Sequence, residues 1–178
     1  MLEIVKGDLL RGGCDIIGHQ ANCQSVMNSG IAKQIRKEIP DAYKGFISDG
    51  REPKEKLGSY SFGRNYTNMK LPYLCYNLYG QLHFGRFNVL YTDYHALAQA
   101  ITLMLNNVRD RERGWRNLSG GSPRMQPINQ KLASGKLLKV GLPYGIGCGL
   151  ANGDWTTVMD IIETISNNFG RTIHLYQL

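Results

Sequence analysis

Short apolar runs alternate with stretches of helical spacing along the whole chain. Short runs bounded by turn residues are typical of β-strands, whereas apolar residues three or four positions apart indicate helices. The predicted strands are 2–5, 14–19, 57–64, 74–79, 136–142 and 172–176. The predicted helices are 28–39, 92–108 and 154–169. Strands that alternate with helices in this order predict a three-layer α/β fold.

Two features of this pattern concern the limits of the elements. The first predicted helix has isoleucine at every fourth position, and we expect Pro40 to end it because proline cannot continue a helix. Segment 109–131 combines a charged run with a glycine pair and two prolines. We interpret this segment as a basic surface insertion of loop character within a single domain that spans 1–178.

The charge and the cysteine content of the chain indicate which partners it binds and in which cellular compartment it works. The chain has 21 Lys and Arg against 14 Asp and Glu, a formal charge of +7 that favours anionic partners such as a nucleotide or nucleic acid. The four cysteines form no C-x-x-C pair and no metal spacing with histidine, so we predict neither metal nor cofactor. No signal-like or membrane-spanning stretch is visible, which predicts a soluble, cytoplasmic protein.

Two glycine-bearing turns are the most informative motifs. Each follows an apolar strand and enters a helix: the first glycine turn is 22–32 and the second glycine turn is 142–150. Amides at a helix N-terminus point at bound anions, and glycine allows the main chain to approach them closely. The pair therefore indicates a clamp for a diphosphate, although a tight strand-to-helix connection is the simpler interpretation of either turn alone.

These turns belong to an ordered set of motifs that resembles the macrodomain family. The set comprises Val5-Lys6-Gly7-Asp8-Leu9, His19-Gln20-Ala21-Asn22, Ser29-Gly30-Ile31-Ala32 and Gly145-Ile146-Gly147-Cys148-Gly149-Leu150. The last turn, Trp155 and the closing strand look like the branch that contains the yeast-type ADP-ribose 1''-phosphate phosphatase and the terminal ADP-ribose glycohydrolase. The resemblance implies an α/β/α fold with a central mixed sheet and an ADP-ribose site at its carboxyl edge.

The resemblance also implies roles for individual residues. Asp8 would accept a hydrogen bond from the adenine amino group, with the ring of Tyr176 packed against the base, and Asn22 would hydrogen-bond the distal ribose. Leu9, beside Asp8, is also a predicted binding residue. Ser29, Gly30 and Ile31 would hold the diphosphate from one side. The remaining predicted binding residues are Gly145, Ile146, Gly147, Cys148, Gly149, Leu150 and Trp155. The competing interpretations are structural: a strand turn at Asp8, a core ring at Tyr176 and a helix cap at Ser29.

Candidate chemistry centres on His19, at the end of the second strand. An imidazole titrates near neutral pH, so His19 could act as acid or base at a 1''-phosphate; alternatively, it orients the loop that carries Asn22. A cysteine phosphatase is excluded because no arginine follows Cys148 at the required spacing. The glycohydrolase lysine and aspartate are also missing, with Gln81 and Ala151 in their regions and Asp154 suited to capping a helix.

Three functions follow from the resemblance. The first is hydrolysis of ADP-ribose 1''-phosphate to ADP-ribose and phosphate, with His19 as the catalytic residue. The second is a non-catalytic reader of ADP-ribose. The third is removal of ADP-ribose from proteins or nucleic acid, with phosphate contacts from the basic part of segment 109–131, Arg109 to Arg124.

Overall fold

The computed structural model describes residues 1–116, 118 and 121–178. The strands are β1 (Leu2–Lys6), β2 (Ile16–Asn22), β3 (Tyr60–Arg64), β4 (Leu74–Gln81), β5 (Val140–Pro143) and β6 (Ile173–Gln177). The helices are α1 (Gly30–Glu38), α2 (Pro40–Ile47), α3 (Pro53–Lys56), α4 (Tyr94–Trp115), α5 (Gln126–Ala133) and α6 (Trp155–Phe169). Every predicted strand and helix is present, with limits shifted by a few residues.

The strands form one six-stranded mixed sheet in the order β1-β6-β5-β2-β4-β3. All neighbours run parallel except β3, which pairs antiparallel with β4 through the connection 65–73. Carboxyl ends of parallel strands meet at one edge of a sheet, where open α/β sheets bind their ligands. The segments that follow β1, β2, β4 and β5 therefore lie along the same edge.

Alternation along the central strands divides the core into two layers. Ile16 packs with the residues of α4, α5 and α6, whereas the adjacent Ile17 packs with those of α1 and α2. Both side chains are fully buried, as expected for a strand covered on both faces. The predicted α/β/α architecture is confirmed.

The interpretation of 109–131 as loop is wrong for much of the segment. Helix α4 continues to Trp115, and α5 buries Ile128 and Leu132 in the core. Glu112 lies inside the protein, where it pairs with Arg171 and accepts a hydrogen bond of 2.8 Å from the Leu138 amide. The sequence did not reveal that Glu112 is buried, because it stands in a run of charged residues that is typical of a solvent-exposed helix face. The predicted glycine pair includes Gly120, which lies outside the described residues.

Pro40 has a role beyond the predicted one. It follows the isoleucine-bearing helix and also occupies the first position of α2. Proline is well tolerated there, because the amide at the first helical position has no intrahelical acceptor. Helices α1 and α2 meet at Ile39, and α2 buries Phe46 beneath the sheet edge. Within residues 1–116, 118 and 121–178, no helix is long and apolar enough to cross a membrane.

Candidate functional site

A cleft of about 440 Å³ opens at the carboxyl edge of the sheet. Its walls come from the start of α1, from the second glycine turn and from the connection between β4 and α4, so the two glycine turns face one space. The lining residues are His19, Gln20, Ala21, Asn22, Val26, Met27, Asn28, Ser29, Gly30, Ile31, Ala32, Phe46, Gln81, Phe84, Gly85, Arg86, Gly147, Leu150 and Ala151.

The first glycine turn is organised by the side chain of Asn22. Its Oδ1 accepts hydrogen bonds from the amides of Gln24 at 3.0 Å and Val26 at 3.2 Å. Its Nδ2 donates to the carbonyl of Val26 at 2.6 Å. Because an amide nitrogen carries two hydrogens, one donor of Asn22 remains for a ligand. Asn22 is therefore both a cleft residue and the internal brace of the turn.

The start of α1 presents free backbone donors to the cleft. Ser29 makes no side-chain cap, and Gly30 adopts a left-handed φ of 53°. The first intrahelical-type bond runs from the Lys33 amide to the Ser29 carbonyl at 3.2 Å. Among the described residues, none accepts a hydrogen bond from the amides of Gly30 or Ile31. The predicted alternative of Ser29 as a side-chain cap is absent, and the amides are free to bind an anion.

The second glycine turn is built from main-chain hydrogen bonds. Alternate amides are satisfied internally: Ile146 donates to Pro143 and Cys148 donates to Gly145. The intervening amides of Gly147 and Gly149 have no acceptor among the described residues. Gly147 has a φ of 76°, and a Cβ there would lie 2.6 Å from Gln20 Oε1. This turn thus needs glycine both for its conformation and for its close approach to β2.

A polar network that sequence reasoning missed joins this turn to the sheet. Gln20 Nε2 donates to Gln81 Oε1 at 2.8 Å and to Thr92 Oγ1 at 3.0 Å. Thr92 Oγ1 in turn donates to the Gly147 carbonyl at 2.6 Å. Gln20 Oε1 is buried without a partner in the described part of the chain. The sequence signal that could have identified Gln20 is its position among polar residues at the end of an otherwise apolar strand.

His19 lies at the floor of the cleft, where its side chain has no exposed surface. The side chain is fully buried; Nε2 bonds Asn77 Oδ1 at 2.8 Å and Nδ1 lies 3.1 Å from the Gln20 carbonyl. The Asn77 amide nitrogen donates to the Ala42 carbonyl and to Ser61, so Oδ1 is the acceptor and His19 Nε2 the donor. Burial lowers the pKa of His19. This geometry favours the interpretation that His19 orients the strand end that carries Asn22.

The predicted adenine residues form a separate group beside the cleft. Asp8 accepts from the Leu10 amide at 2.8 Å and from Arg11 Nη1 at 2.9 Å, and Arg11 also bonds Glu38. Tyr176 is 5% exposed, and its hydroxyl donates to the Gly12 carbonyl at 2.6 Å. Leu9 is buried near Gly141. In this arrangement Tyr176 packs as a core ring, and Asp8 keeps a partly exposed carboxylate.

The other predicted residues of the second glycine turn are placed around the cleft rather than along its walls. Gly145 and Gly149 lie in the turn itself, Ile146 is buried in the core, and Cys148 is half-buried. Burial raises the pKa of Cys148 to about 11, so the thiol is protonated at neutral pH and is a poor nucleophile.

The start of α6 lies apart from the cleft walls. Trp155 packs on Tyr144, with ring centroids 4.6 Å apart. Asp154 caps the helix by accepting a hydrogen bond of 2.8 Å from the Thr157 amide, as predicted. Over the described residues, no group of three or more His, Cys, Asp or Glu side chains could hold a metal ion.

Comparisons with known proteins assign the fold. No protein-family model matches the chain. An uncharacterised 17.5 kDa protein from the tk-vs intergenic region of Enterobacteria phage T4 is 28% identical over 176 residues, which cover 94% of this chain and 91% of that one.

Solved structures with the same fold include macrodomains. The Mycobacterium tuberculosis DarG macrodomain superposes with a TM-score of 0.71 and 16% identity, covering 99% of this chain and 96% of that one. Thermosipho africanus DarTG in complex with ADP-ribose gives a TM-score of 0.69 and 13% identity, covering 98% of this chain and 41% of that one. The chain therefore has the macrodomain fold.

Proposed function

We propose that this protein binds ADP-ribose in the cleft between its two glycine turns. The observation that carries the proposal is the convergence of amides without a partner in the described part of the chain: those of Gly30 and Ile31 from one side, and that of Gly147 from the other. Such amides, together with the dipole of α1, favour a diphosphate. The ADP-ribose complex of the fold neighbour DarTG agrees with this choice of ligand.

The strand order suggests the direction of the ligand. Asp8 follows β1, whereas Gln81 ends β4, four strand intervals away in the sheet. Neighbouring strands lie about 4.8 Å apart, so these positions are separated by about 19 Å, which suits an extended nucleotide sugar. Adenine would lie toward Asp8, the diphosphate between the turns, and the distal ribose near Asn22 and Gln81.

Calorimetric titration with ADP-ribose tests this proposal, with Asp8→Ala for the adenine end. We expect saturable binding with a stoichiometry of one and about tenfold weaker binding by the variant, since hydrogen bonds to charged groups contribute about 1.5–3 kcal/mol. Lys44→Ala, a change at an exposed ion pair elsewhere, is the charge control. Absence of binding by the unmodified protein would refute the function, and unchanged affinity in Asp8→Ala would refute the adenine assignment.

The finer proposal is hydrolysis of ADP-ribose 1''-phosphate. The free amides of both turns would stabilise charge on the phosphoryl oxygens. His19 would support the reaction by positioning, because its buried, neutral ring donates to Asn77 and has no exposed surface. Phosphate release from this substrate, compared between the protein and His19→Gln, is the test. Release abolished in a folded variant would restore His19 as the catalytic residue.

A non-catalytic reader is the second candidate, and one observation favours it. Gln81 and Ala151 line the cleft where the resembling glycohydrolase would have its lysine and aspartate. Neither an amide nor a methyl group can attack or protonate the distal ribose. Binding of ADP-ribose with no turnover of its 1''-phosphate or of a protein conjugate would establish the reader.

Removal of ADP-ribose from nucleic acid has less structural support. Two arginines of the basic segment are engaged within the fold: Arg111 lies 4.7 Å from the Phe62 ring centroid, and Arg124 donates to the carbonyls of Asn65 and Leu71. Phosphate contacts would have to come from exposed residues such as Arg109 and Arg113, whose present polar partners are Asn106 and Asp110 on the same helix. Salt-dependent binding of an ADP-ribosylated oligonucleotide that Arg109→Gln weakens would favour this activity.

A further inference from the structure

The connection between β4 and α4 adds a charged group to an otherwise uncharged cleft. Phe84, Gly85 and Arg86 all line the cleft. Among the described residues that form the walls, Arg86 alone has a formal charge at neutral pH, because His19 is neutral and none of the others is a carboxylate or a lysine. The sequence pattern did not single out this segment, since it carries neither regular periodicity nor a glycine-rich motif.

Arg86 has no electrostatic or hydrogen-bonding partner in the described ranges 1–116, 118 and 121–178. By contrast, Arg11 at the adenine side bonds both Asp8 and Glu38. A guanidinium offers five donors in a fork that matches phosphate oxygens. The guanidinium of the exposed Arg86 is thus available, beside free backbone amides, for an anionic group of a ligand.

The segment that carries Arg86 is held against the two residues that follow the second glycine turn. The Tyr91 amide donates to the Ala151 carbonyl at 2.9 Å. Asn152 Nδ2 donates to the carbonyls of Phe87 at 3.1 Å and Val89 at 2.7 Å. These bonds fix the backbone on the C-terminal side of Arg86, so the place of this residue at the cleft is set by the fold.

We propose that Arg86 is a specificity-determining residue that recognises a phosphate group attached to the distal ribose of the ligand. The inference rests on the proposed ADP-ribose function and its direction in the cleft. Arg86 follows β4, four strand intervals from the strand that precedes Asp8, and lines the cleft. In the proposed direction of the ligand, this is the end that would hold the distal ribose and its substituent. A phosphate there gains charge-assisted hydrogen bonds that unmodified ADP-ribose lacks.

The test compares ADP-ribose with ADP-ribose 1''-phosphate by calorimetry in the unmodified protein, Arg86→Gln and Arg113→Gln. We expect the unmodified protein to prefer the 1''-phosphate by about tenfold or more, and Arg86→Gln to reduce the preference to about twofold. The affinity for ADP-ribose itself should fall by at most about threefold. Arg113→Gln removes the same charge from an exposed site on α4 and should keep the full preference.

The possible outcomes distinguish failure of the Arg86 proposal from failure of the proposed ADP-ribose binding. ADP-ribose binding with no preference for the 1''-phosphate, or an undiminished preference in Arg86→Gln, overturns the role of Arg86 alone. Failure of both ligands to bind refutes the proposed function and the inference with it. If phosphate is released during titration, the same variant should raise KM for the phosphate ester; an unchanged KM would also overturn the proposal.

Discussion

The two glycine turns face the same cleft but keep their shapes by different means. The first depends on one side chain, Asn22, which bonds the amides of Gln24 and Val26 and the carbonyl of Val26. The second depends on main-chain bonds and on glycine at positive φ, with Gly147 packed against Gln20. A binding surface made of amides can therefore be preorganised either by a side-chain brace or by backbone conformation, and the two designs should fail differently.

The largest effect is expected at Gly147, where conformation and space act together. Gly147→Ala strains a φ of 76° and places Cβ 2.6 Å from Gln20 Oε1. Either the turn must shift or the Gln20 side chain must leave its bonds to Gln81 and Thr92. We expect ADP-ribose affinity to fall by at least about thirtyfold and the free energy of unfolding by about 1–3 kcal/mol. Calorimetry and chemical denaturation measure both.

Gly149→Ala is the matched control for that substitution. Gly149 lies two positions along the same turn, its φ is outside the left-handed region, and a methyl group there would meet no atom within 4 Å beyond its chain neighbours. We expect both affinity and stability to stay close to those of the unmodified protein. Equal losses in the two variants would show that the close approach of Gly147 to β2 is unimportant.

The next effect concerns the brace of the first turn. Asn22→Ala removes three hydrogen bonds and leaves backbone groups of Val26 unsatisfied, at a cost of about 1–3 kcal/mol in unfolding free energy. Because the turn also loses its shape, ADP-ribose affinity should fall by about tenfold. Asn28→Ala, which removes one exposed bond to Arg36, is the control for the stability measurement, because Asn28 itself lines the cleft. Equal losses of unfolding free energy in the two variants would contradict the bracing role of Asn22.

A smaller effect is expected from substitution of Gly30, where the backbone conformation is strained for other residues but no neighbouring atom would contact an added Cβ. Its φ is 53°, but a Cβ there meets no atom within 4 Å. Gly30→Ala should therefore cost only the left-handed strain, about 1 kcal/mol in unfolding free energy, and a few-fold in ADP-ribose affinity. If Gly30→Ala loses as much affinity and stability as Gly147→Ala, the contact between Gly147 and Gln20 adds nothing to the effect of a positive φ.

The smallest effect on binding is expected at His19, which acts through stability. Its folded pKa is lowered by burial, whereas the unfolded value is about 6.5, so below that pH the unfolded state binds more protons. Stability should be full above about pH 6.5 and fall by up to about 1 kcal/mol between about pH 6.5 and 5.5. His19→Gln should lack this dependence in denaturation curves. An identical pH dependence in the variant would contradict a buried, neutral His19.

The sequence predicts the strands, helices α1, α4 and α6 and the two turns, because strand runs and helical stripes are local patterns, but it misses α2, α3 and α5. Its failures are non-local. The burial of Glu112 depends on Arg171, 59 residues away, and the cleft position of Arg86 depends on bonds from Asn152 to a loop without a motif. His19 is a related case: its type and place suggested chemistry, but the partner that occupies its Nε2 is Asn77 on the neighbouring strand.

The packing of Trp155 on Tyr144 gives the protein an intrinsic fluorescent reporter. Trp155 begins α6 five positions after the end of the second glycine turn, next to the capping residue Asp154, and packs on Tyr144 within that turn. The other tryptophan, Trp115, lies at the opposite end of the 22-residue α4, about 33 Å along that helix from its start at the carboxyl edge of the sheet. Emission changes on adding nucleotide should therefore arise from Trp155 and should persist when Trp115 is replaced by phenylalanine.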